Sequence, residues 1–335
     1  MKTVLVTGAN GFVGTHTLNW LARRPDVRLI AACRDKQRLH NGFDGEVREG
    51  DLRDDDYLDG LLNGVDVVVN AMAWTSLHGH KRQSDTLFYR PTRSLIDAYM
   101  RSDASRFVNV STTSAAAPER SADALSAGIP RAFWPHLENV IRIENVLRRL
   151  ASEDKSVVNL RLGIFVGAHY GLGILPILLP RLKTHLVPWV RGGRTELPLT
   201  DGRDLGQAMG RAALAGAMRG YEAFNIVGPE VPSARDVILF LHREFGYPKP
   251  HFSVPFGIAY PFAWLMEKLD TVVPWEPLIV RSIVHLLENT GADNTRATAK
   301  LGYRPEYAWQ DAVRMQLAEM AKRQARPMRM AKAVE

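Results

Sequence analysis

The chain has 335 residues, of which 46% are apolar and 24% charged, a balance typical of a globular protein with enough apolar material for two domains or one two-lobed domain. Its single cysteine, Cys33, excludes an intrachain disulfide and is typical of a reducing compartment. The longest apolar stretch, Val254–Met266, is too short to cross a bilayer, and the chain begins directly in a strand-like segment. We therefore expect a cytoplasmic protein with neither a signal peptide nor a transmembrane segment.

The net charge of +7, from 43 Lys and Arg against 36 Asp and Glu, favours an anionic partner such as a phosphorylated cofactor. A membrane or nucleic-acid surface would satisfy the same charge. The basic residues are scattered, however, and no base-stacking module is evident, so we expect no nucleic-acid partner. Much of the excess lies near the C-terminus, where a frayed and solvated segment explains it: Lys322, Arg323, Arg326, Arg329 and Lys332.

The first strongly patterned stretch passes from a strand through glycines into a helix. Val4–Val6 is a short apolar run typical of a strand buried on both faces, and Thr15–Arg23 has a helical pattern. Glycines between them would let an anion approach the backbone, where the unpaired N–H groups of the helix N-terminus point toward it. The alternative is an ordinary glycine-rich turn. We predict a pyrophosphate-binding loop made of Gly8, Asn10, Gly11, Phe12, Val13 and Gly14.

The residues after the second strand distinguish between two dinucleotides. Val27–Cys33 is predicted to be this strand. NAD sites place a carboxylate near its end, whereas NADP sites place a cation there for the 2′-phosphate. Here Arg34 follows the strand directly, Arg38 comes one helical turn later, and Asp35 lies one position beyond the usual carboxylate. The pattern favours NADP(H) over NAD(H), although solvated loop charges are an alternative explanation for both arginines.

Strand and helix patterns alternate through the rest of the N-terminal half, which predicts an α/β fold with a doubly wound parallel sheet. After the fourth strand, Ala71, Met72 and Ala73 are small enough for a cofactor to lie across them, and a hydroxyl cluster follows the fifth strand. The predicted elements are a strand beginning at Val47, a helix over Asp54–Leu62, a strand over Val65–Asn70, a helix over Pro91–Arg101 and a strand over Phe107–Val110.

Together these motifs resemble the extended short-chain dehydrogenase/reductases, a group that includes NAD-dependent epimerases/dehydratases and 3β-hydroxysteroid dehydrogenase-like enzymes. The resemblance covers nearly the whole chain and is most specific in the N-terminal half. It implies a Rossmann-type sheet that binds NAD(P), a smaller C-terminal substrate lobe, and an adenine side formed by Asp51 and Leu52. The matching segments are Thr7–Gly14, Arg34–Leu39, Gly50–Leu52, Leu160–Gly167, Asp204 with Leu205 as a helix start, Phe224–Ile226 and Leu301–Pro305.

The same resemblance suggests how the chain divides. Residues 1–165 are expected to form the NADP-binding Rossmann domain, and the chain is expected to return to it at about 200–228. Residues 166–199 and 229–325 would then form the substrate lobe, and 326–335 a basic tail. The chain could also form a homodimer.

The resemblance further implies a catalytic group of four residues, three of which differ in this chain. Thr113 occupies the Ser/Thr position that binds the substrate oxygen. In the frame Pro135–Glu144, the Tyr that transfers the proton is replaced by His136, and the Lys four residues later by Val140. The Asn position is Phe88, and no Tyr elsewhere in the chain has a Lys four residues later. The standard mechanism of the family therefore does not carry over directly, whereas the fold does.

The replacement has two interpretations. His136 could take over the proton, because an imidazole of pKa ~6.5 works at neutral pH without the neighbouring cation that a Tyr of pKa ~10 requires. Loss of the Lys is then consistent, since an ammonium would repel the imidazolium. Alternatively the site has decayed or changed its use, with His136 exposed and Val140 in an apolar helix stripe. Thr113 could touch substrate or cofactor, or only cap the next turn.

The substrate is expected beyond the carboxyl ends of the strands, where the loops after the fourth and sixth strands should meet. Apolar segments at 171–190 and 252–264 could line a hydrophobic pocket or form the core of the small lobe. His78 and His80 lack a matching Cys or Asp cluster, so we predict no metal site. The predicted substrate-binding residues are Trp74, His78, Phe165, His169 and Tyr170.

The sequence thus predicts an NADP(H)-dependent oxidoreductase of the extended short-chain type, acting on the carbonyl, alcohol or enone of a small hydrophobic substrate. Two alternatives stay open at this point. One is a dinucleotide-binding sensor or structural subunit without turnover. The other is a non-redox lyase, isomerase or epimerase on the same fold.

Overall fold

A computed structural model describes residues 1–40, 42–116, 124–216, 218–269 and 279–332, with side chains described as far as residue 323. Its central feature is a sheet of seven strands, beside which lie two pairs of short strands. The strands are β1 (Lys2–Thr7), β2 (Val27–Cys33), β3 (Glu46–Glu49), β4 (Val67–Asn70), β5 (Arg106–Thr112), β6 (Ser156–Leu162), β7 (Ile164–Val166), β8 (Trp189–Val190), β9 (Leu199–Asp201), β10 (Tyr221–Ile226) and β11 (Ser253–Val254).

Helices cover both faces of the central sheet and make up most of the C-terminal part of the chain. They are α1 (Phe12–Leu21), α2 (Asp55–Leu61), α3 (Lys81–Ser84), α4 (Arg90–Arg101), α5 (Pro135–Leu150), α6 (Ile174–Lys183), α7 (Gly202–Leu214), α8 (Ala234–Phe245), α9 (Phe256–Leu269), α10 (Arg281–Leu286), α11 (Thr295–Leu301) and α12 (Trp309–Lys332). No helix in the described part of the chain is both long and apolar enough to cross a membrane.

The central sheet has the strand order β10-β6-β5-β4-β1-β2-β3, and every neighbouring pair is parallel. The chain therefore winds outward from β1 in both directions, which confirms the predicted doubly wound α/β fold of Rossmann type. In such sheets ligands bind beyond the carboxyl ends of the strands, where the strand order reverses. Here the reversal lies between β1 and β4, so the segments that follow these two strands frame the candidate site.

Most predicted element boundaries lie within one to three residues of the observed ones, and three differences affect the site. Strand β2 has the predicted bounds, but α1 begins at Phe12 rather than at Thr15. Helix α4 is preceded by α3 and a π-helical turn at Asp85–Tyr89, so the helical segment starts ten residues before Pro91. Pro91 is the second residue of α4, directly after this π-helical turn.

The third difference concerns Asp204, which was expected to start a helix. The N-cap of α7 is Asp201, whose carboxylate accepts from Arg203 N at 2.7 Å. Asp204 lies inside the first turn and is fully buried. Its carboxylate accepts from the backbone N–H groups of Glu306 at 2.9 Å and Tyr307 at 3.1 Å, so it anchors the segment before α12 to α7.

Helices α1 and α7 pack closely on one face of the sheet because α7 carries glycines at the contact. A Cβ added to Gly206 would lie 2.3 Å from the carbonyl oxygen of His16. One added to Gly210 would lie 2.1 Å from the Trp20 ring. No side chain fits at either position, so the two backbones can approach only through these glycines. This contact holds α7, which follows a long excursion of the chain, against the first helix.

A row of hydrogen-bonded polar side chains, which we call the polar row, crosses the other face of the sheet. Thr7 Oγ1 donates to Asn70 Oδ1 at 3.0 Å, and Asn70 Nδ2 donates to Asn109 Oδ1 at 3.1 Å. Asn109 Nδ2 then donates to Asn159 Oδ1 at 2.8 Å, and Asn159 Nδ2 to Glu144 Oε1 at 2.9 Å. All five side chains are buried, and each amide has a partner on both sides.

The row ends at an ion pair without solvent exposure. Arg161 Nε and Nη2 donate to the two oxygens of Glu144 at 3.0 and 2.7 Å. Ser111 Oγ also donates to Glu144, at 2.5 Å. A buried pair of this kind is tolerated when each oxygen is satisfied, and here the pair joins α5 to β6.

The C-terminal part of the chain forms its own apolar core around α6, α8 and α12. Leu175, Val237 and Val313 are all fully buried in it, one from each of these helices. The short pair β7 and β9 continues this core, whereas β8 pairs with β11 near α9. This core is separate from the two clusters that flank the central sheet.

Candidate functional site

The turn between β1 and α1 approaches the end of β4 so closely that only glycine fits. Gly8 has φ +61°, and a Cβ on it would lie 2.6 Å from the carbonyl oxygen of Ala71. A Cβ on Gly14 would lie 2.2 Å from the oxygen of Gly8. The N-cap of α1 is Gly11, so no side chain caps this helix and no acidic residue lies in its first turn. The first N–H groups of α1, which include those of Phe12 and Val13, are therefore available to an anion.

The end of β2 lies beside this turn and presents two cations. Arg34 and Arg38 are both exposed, and neither forms an ion pair with any residue that the structure describes. Asp35 instead caps its own turn, because its carboxylate accepts from Gln37 N at 3.0 Å. Asn10 Nδ2 donates to the Asp35 carbonyl oxygen at 3.3 Å, so the side chain of Asn10 fixes the glycine turn to the end of β2.

The predicted adenine side and the predicted floor of the site lie on either side of this turn. Asp51 is half-buried, and its carboxylate holds Arg53 Nε and Nη2 at 3.0 and 2.6 Å. Those hydrogen bonds lower the pKa of Asp51. Leu52 is half-buried beside it. After β4, burial decreases along the chain, from buried Ala71 through half-buried Met72 to exposed Ala73.

His136 lies at the start of α5 in an aromatic environment. Its ring meets those of Trp74 and Phe88 edge-on, with centroids 5.8 and 4.9 Å away. Its Nδ1 lies 3.4 Å from the hydroxyl of Ser84, which also accepts from Asn139 Nδ2 at 3.0 Å. Burial alone lowers the pKa of His136 to about 4, so the imidazole is neutral at pH 7. His136 is half-buried, so the expectation of an exposed side chain is wrong, while the alternative of a decayed or repurposed site stays open.

The position of the family's lysine belongs to the apolar core. Val140 lies one turn after His136 and is 7% exposed, in the same core cluster as Phe88. Both positions are therefore apolar and buried, where the family carries a cation and an amide. A proton-transfer step here would depend on the imidazole of His136 without help from a neighbouring charge.

Thr113 is buried in a short 3₁₀ turn, Thr113–Ala115, at the end of β5. The cap of this turn is Thr112, whose Oγ1 accepts from Ser114 N at 3.2 Å. Thr113 itself lines a cavity of about 10 Å³, room for roughly one water molecule. The structure records no contact between Thr113 and His136, so it does not bring the two predicted catalytic residues together.

Thr113 instead shares its cavity with a polar cluster that the sequence did not indicate. His285 Nε2 lies 2.9 Å from the carbonyl oxygen of Ser114, and its Nδ1 lies 3.1 Å from Glu288 Oε2. Tyr260 donates a hydrogen bond to the other oxygen of Glu288. Arg131 lies 3.6 Å from Glu288, and its charge and the hydrogen bonds hold the pKa of that carboxyl low despite burial. The only signal in the sequence is the three-residue spacing of His285, in the last turn of α10, and Glu288, which lies just beyond its end.

Two of the predicted substrate residues lie near His136 and the C-terminal helices. Trp74 packs against His136, as described above. His78 is half-buried, with its Nδ1 4.0 Å from Glu267 Oε1. Arg281 also binds Glu267, through its backbone N at 2.6 Å and its Nε at 2.7 Å. These contacts join the loop after β4 to α9 and α10.

The other three predicted substrate residues lie at the glycine turn. The ring of Phe12 stacks on Tyr170 at 4.5 Å and on Phe165 at 6.1 Å between centroids. Burial in this stack raises the pKa of Tyr170 to about 12. His169 is exposed and pairs with Glu319 at 3.1 Å. The structure therefore divides the predicted substrate residues into two separate groups.

A glycine turn that opens onto a helix N-terminus, at the point where a doubly wound sheet reverses, defines a dinucleotide-binding protein of Rossmann type. Within the residues described, no group of three or more His, Cys, Asp or Glu side chains could hold a metal ion. The model of the NAD-dependent epimerase/dehydratase family matches residues 4–227, which is more than half of the chain. The chain belongs to this family, and its resemblance to the extended short-chain dehydrogenase/reductases is confirmed.

The chain is similar to several distant relatives. The low-salt glycan biosynthesis protein Agl12 of Haloferax volcanii is 29% identical over 120 residues, which cover 32% of this chain and 39% of that protein. Among solved structures, gox2253 has a TM-score of 0.74 at 21% identity, covering 96% of this chain and 99% of its own. The UDP-glucuronic acid 4-epimerase of Bacillus cereus, solved with UDP-glucuronic acid and NAD, has a TM-score of 0.70 at 19% identity and the same coverage. The TM-scores establish a shared fold.

Proposed function

We propose that this protein is an NADP(H)-dependent oxidoreductase of the extended short-chain type, acting on the carbonyl, alcohol or enone of a small hydrophobic substrate. The observation that carries the cofactor preference is the end of β2. Two exposed arginines stand there, neither of them in an ion pair with a described residue although the charge of Arg34 contributes to the lowered pKa of Asp51, while the neighbouring carboxylate of Asp35 is engaged by its own turn. A free carboxylate would favour the 2′-hydroxyl of NAD, whereas free cations favour the 2′-phosphate of NADP.

The residues that would contact a dinucleotide follow the carboxyl ends of the strands of the central sheet. The backbone of Gly8–Gly14 would hold the pyrophosphate, Arg34 and Arg38 the 2′-phosphate, and Asp51 with Leu52 the adenine. Ala71–Ala73 would form the surface under the rest of the cofactor. When bound, the cofactor supplies or accepts a hydride. We keep residues 1–165, with 200–228, as the proposed cofactor domain.

For the chemistry we propose that His136 takes a proton from the substrate hydroxyl. The imidazole is neutral at pH 7 and can therefore accept this proton, but the burial that lowers its pKa to about 4 also makes it a weaker base than a solvated histidine. Thr113 would orient a substrate oxygen, with the Glu288–His285 cluster holding the turn on which Thr113 lies. Productive binding would then require a substrate that reaches both the cavity at Thr113 and the ring of His136.

The cofactor proposal can be tested by calorimetric titration of cofactor-free protein with NADPH and with NADH. We expect NADPH to bind more tightly. Arg34→Ala should weaken NADPH binding by about 10- to 100-fold, because a hydrogen bond to a charged group contributes roughly 1.5–3 kcal/mol, and leave NADH binding unchanged.

Lys36→Ala is the matched control for this titration. Lys36 is a cation in the same loop, but it already pairs with Glu49 at 3.7 Å. Its removal should therefore leave both affinities nearly unchanged. An NADPH-to-NADH affinity ratio that Arg34→Ala does not alter would contradict the proposed 2′-phosphate contact.

A second candidate is a protein that binds the dinucleotide without turning it over. The burial of Val140 and Phe88 in the core supports it, because no cation or amide is present at the positions that assist the reaction in the family. A cofactor that survives purification and keeps its oxidation state in the presence of ketones, alcohols and enones would favour this function.

A third candidate, a non-redox epimerase or lyase, draws support from the UDP-sugar epimerases among the structural relatives. Conversion of a UDP-sugar without net change of the cofactor would favour it.

A further inference from the structure

Helix α9 presents a stripe of large apolar side chains to solvent. Ile258, Phe262, Leu265 and Leu269 follow one another at intervals of four, three and four residues, which places them on one face of the helix. Their exposed fractions lie between 41% and 54%, and Trp264 beside them is 48% exposed. An exposed stripe of this size is unusual on a globular protein and marks an interaction surface.

The opposite face of α9 accounts for its attachment to the protein. Ala259 and Ala263 are buried against α10, in a core cluster that includes Val284. Glu267 on the same face is buried and is held by Arg281. The position of the helix is therefore fixed by these three residues together with Phe256 and Tyr260, which also pack against that core, whereas the exposed stripe is not part of it.

The exposed surface continues past the start of α9. Phe252 is 51% exposed, and its carbonyl oxygen accepts from Trp189 N at 2.8 Å. The rings of His185 and His251 stack at 5.7 Å, which brings the loop before β8 beside the loop before β11. Leu186 in the first of these loops is exposed. We call this surface the apolar ridge, made of Leu186, Phe252, Ile258, Phe262, Trp264, Leu265 and Leu269.

The two segments that carry the ridge hold an excess of cations, although Asp270 follows Leu269 directly in the sequence. Within residues 183–194 and 249–269 the sole carboxylate is Glu267, which is buried and paired. The same two segments carry five cations, all of them exposed. These cations are Lys183, Arg191, Arg194, Lys249 and Lys268.

We propose that the apolar ridge is a docking surface for an anionic lipid bilayer. Aromatic and aliphatic side chains on one face of a helix, bordered by cations, are the features that hold a helix in the plane of a membrane interface. The cations would lie at the level of anionic headgroups. The same charge argues against a second copy of this chain, because pairing two ridges would bring both sets of cations together.

The test is co-sedimentation of the full-length protein with vesicles of phosphatidylcholine alone or of phosphatidylcholine with phosphatidylglycerol. We expect binding to the anionic vesicles, weakened by added salt, and little binding to the neutral ones. The double variant Phe262→Ser with Leu265→Ser should lose about tenfold or more in vesicle affinity. The change removes apolar surface only from the exposed face of α9, so thermal unfolding should show a folded protein.

Leu172→Ser is the matched control, because Leu172 is 61% exposed but lies outside the ridge. It should bind vesicles as the unchanged protein does. Equal loss in both variants, or no binding to anionic vesicles, would overturn the proposal. Analytical ultracentrifugation provides a further test, since a dimer that the double variant converts to a monomer would identify the ridge as an interface between copies and also overturn the proposal.

Discussion

At the scale of single residues, the burial of His136 determines what this side chain can do. Its ring lies between two aromatic side chains, and no charge near it favours the imidazolium. A tyrosine in this position would need a cation to lower its pKa, and the lysine that provides one is replaced by Val140. A neutral imidazole does not need that help. The two substitutions are therefore chemically compatible with each other.

Replacing His136 by Asn should reduce turnover by about 10²–10⁴-fold, the usual contribution of a general base, with cofactor affinity unchanged. In the unchanged protein the rate should hold through neutral pH and fall only as the pH approaches the pKa of about 4, where the imidazole becomes protonated. The measurement is the steady-state rate as a function of pH, with calorimetry for cofactor binding.

His80→Asn is the control for this variant, because the ring of His80 also contacts Trp74 but is exposed. Its rate should match that of the unchanged protein. If His136→Asn turns over at the same rate as His80→Asn, His136 is not the base, and the polar cluster beside Thr113 becomes the better place to look for one.

At the scale of elements, the contact between α1 and α7 links the start of the chain to a helix almost two hundred residues later. Gly206 and Gly210 make this contact through their missing side chains. The N-terminus of α1 is also the proposed pyrophosphate site. The packing of α7 therefore supports the helix whose N–H groups would bind the cofactor.

Gly206→Ala should destabilise the protein by about 1–3 kcal/mol, because the new methyl group would lie 2.3 Å from a backbone oxygen that cannot move alone. Gly60→Ala in α2 is the matched control. A Cβ there meets no atom within 4 Å, so the substitution should stabilise the helix by up to about 1 kcal/mol. Denaturant unfolding measures both. Equal unfolding free energies for the two variants would contradict the close-packing argument.

The glycine turn and β2 show what local sequence can predict. Val27–Cys33 was predicted with its observed bounds, because its apolar residues from Leu29 to Cys33 form the continuous run that is typical of a buried parallel strand. The spacing of Gly8, Gly11 and Gly14 likewise requires a backbone that approaches another strand closely. Both features are encoded by residues that lie close together in the sequence, so a short segment is enough to predict them.

The contacts that were missed depend on how distant segments dock. His285 reaches the carbonyl of Ser114 across 171 residues, and no pattern around either residue predicts the approach. Phe165 and Tyr170 were assigned to the substrate because they follow β6, yet their rings stack on Phe12 at the glycine turn. The direction in which a loop leaves a strand is set by tertiary packing, which a single sequence does not show.

At the scale of the whole molecule, Asp204 ties the end of the chain to its middle. Its carboxylate accepts two backbone hydrogen bonds from the segment before α12, yet burial raises its pKa from 3.8 to about 6. A carboxyl whose folded pKa exceeds its unfolded value contributes stability below the unfolded pKa. That stability is lost as the pH rises through the folded pKa.

Asp204→Asn should remove this contribution to the pH dependence, because the amide does not titrate. It keeps one of the two acceptor oxygens and turns its NH2 toward the other N–H, which costs stability at every pH. The difference in unfolding free energy between the variant and the unchanged protein should shift in favour of the variant as the pH rises from 3.8 to about 6. Denaturant unfolding across this window measures it. A difference that stays constant with pH would show that Asp204 titrates alike in the folded and unfolded chains.

The apolar ridge adds a second property at this scale. If the protein docks through α9, the C-terminal helices contact the lipid surface, whereas the carboxyl ends of the central strands bind the cofactor. A hydrophobic substrate dissolved in the bilayer would then be supplied from the side of the C-terminal helices. This arrangement suits the hydrophobic substrate class that we propose, because such a substrate is concentrated in the bilayer rather than in bulk water.

The polar row has a consequence for how the chain finds its sheet. Two residues before each strand member of the row, on the same face, stands an apolar residue, so a strand that slipped by two positions would still present an apolar face to the helices. Such a slip would place an aliphatic or aromatic side chain beside an amide. Two buried polar groups would then have no hydrogen-bond partner, at a cost of about 1–3 kcal/mol each. The polar row therefore destabilises misaligned strand pairings that would bury as much apolar surface as the native one. The residues that would enter it by such a slip are Leu5, Val68, Phe107 and Val157.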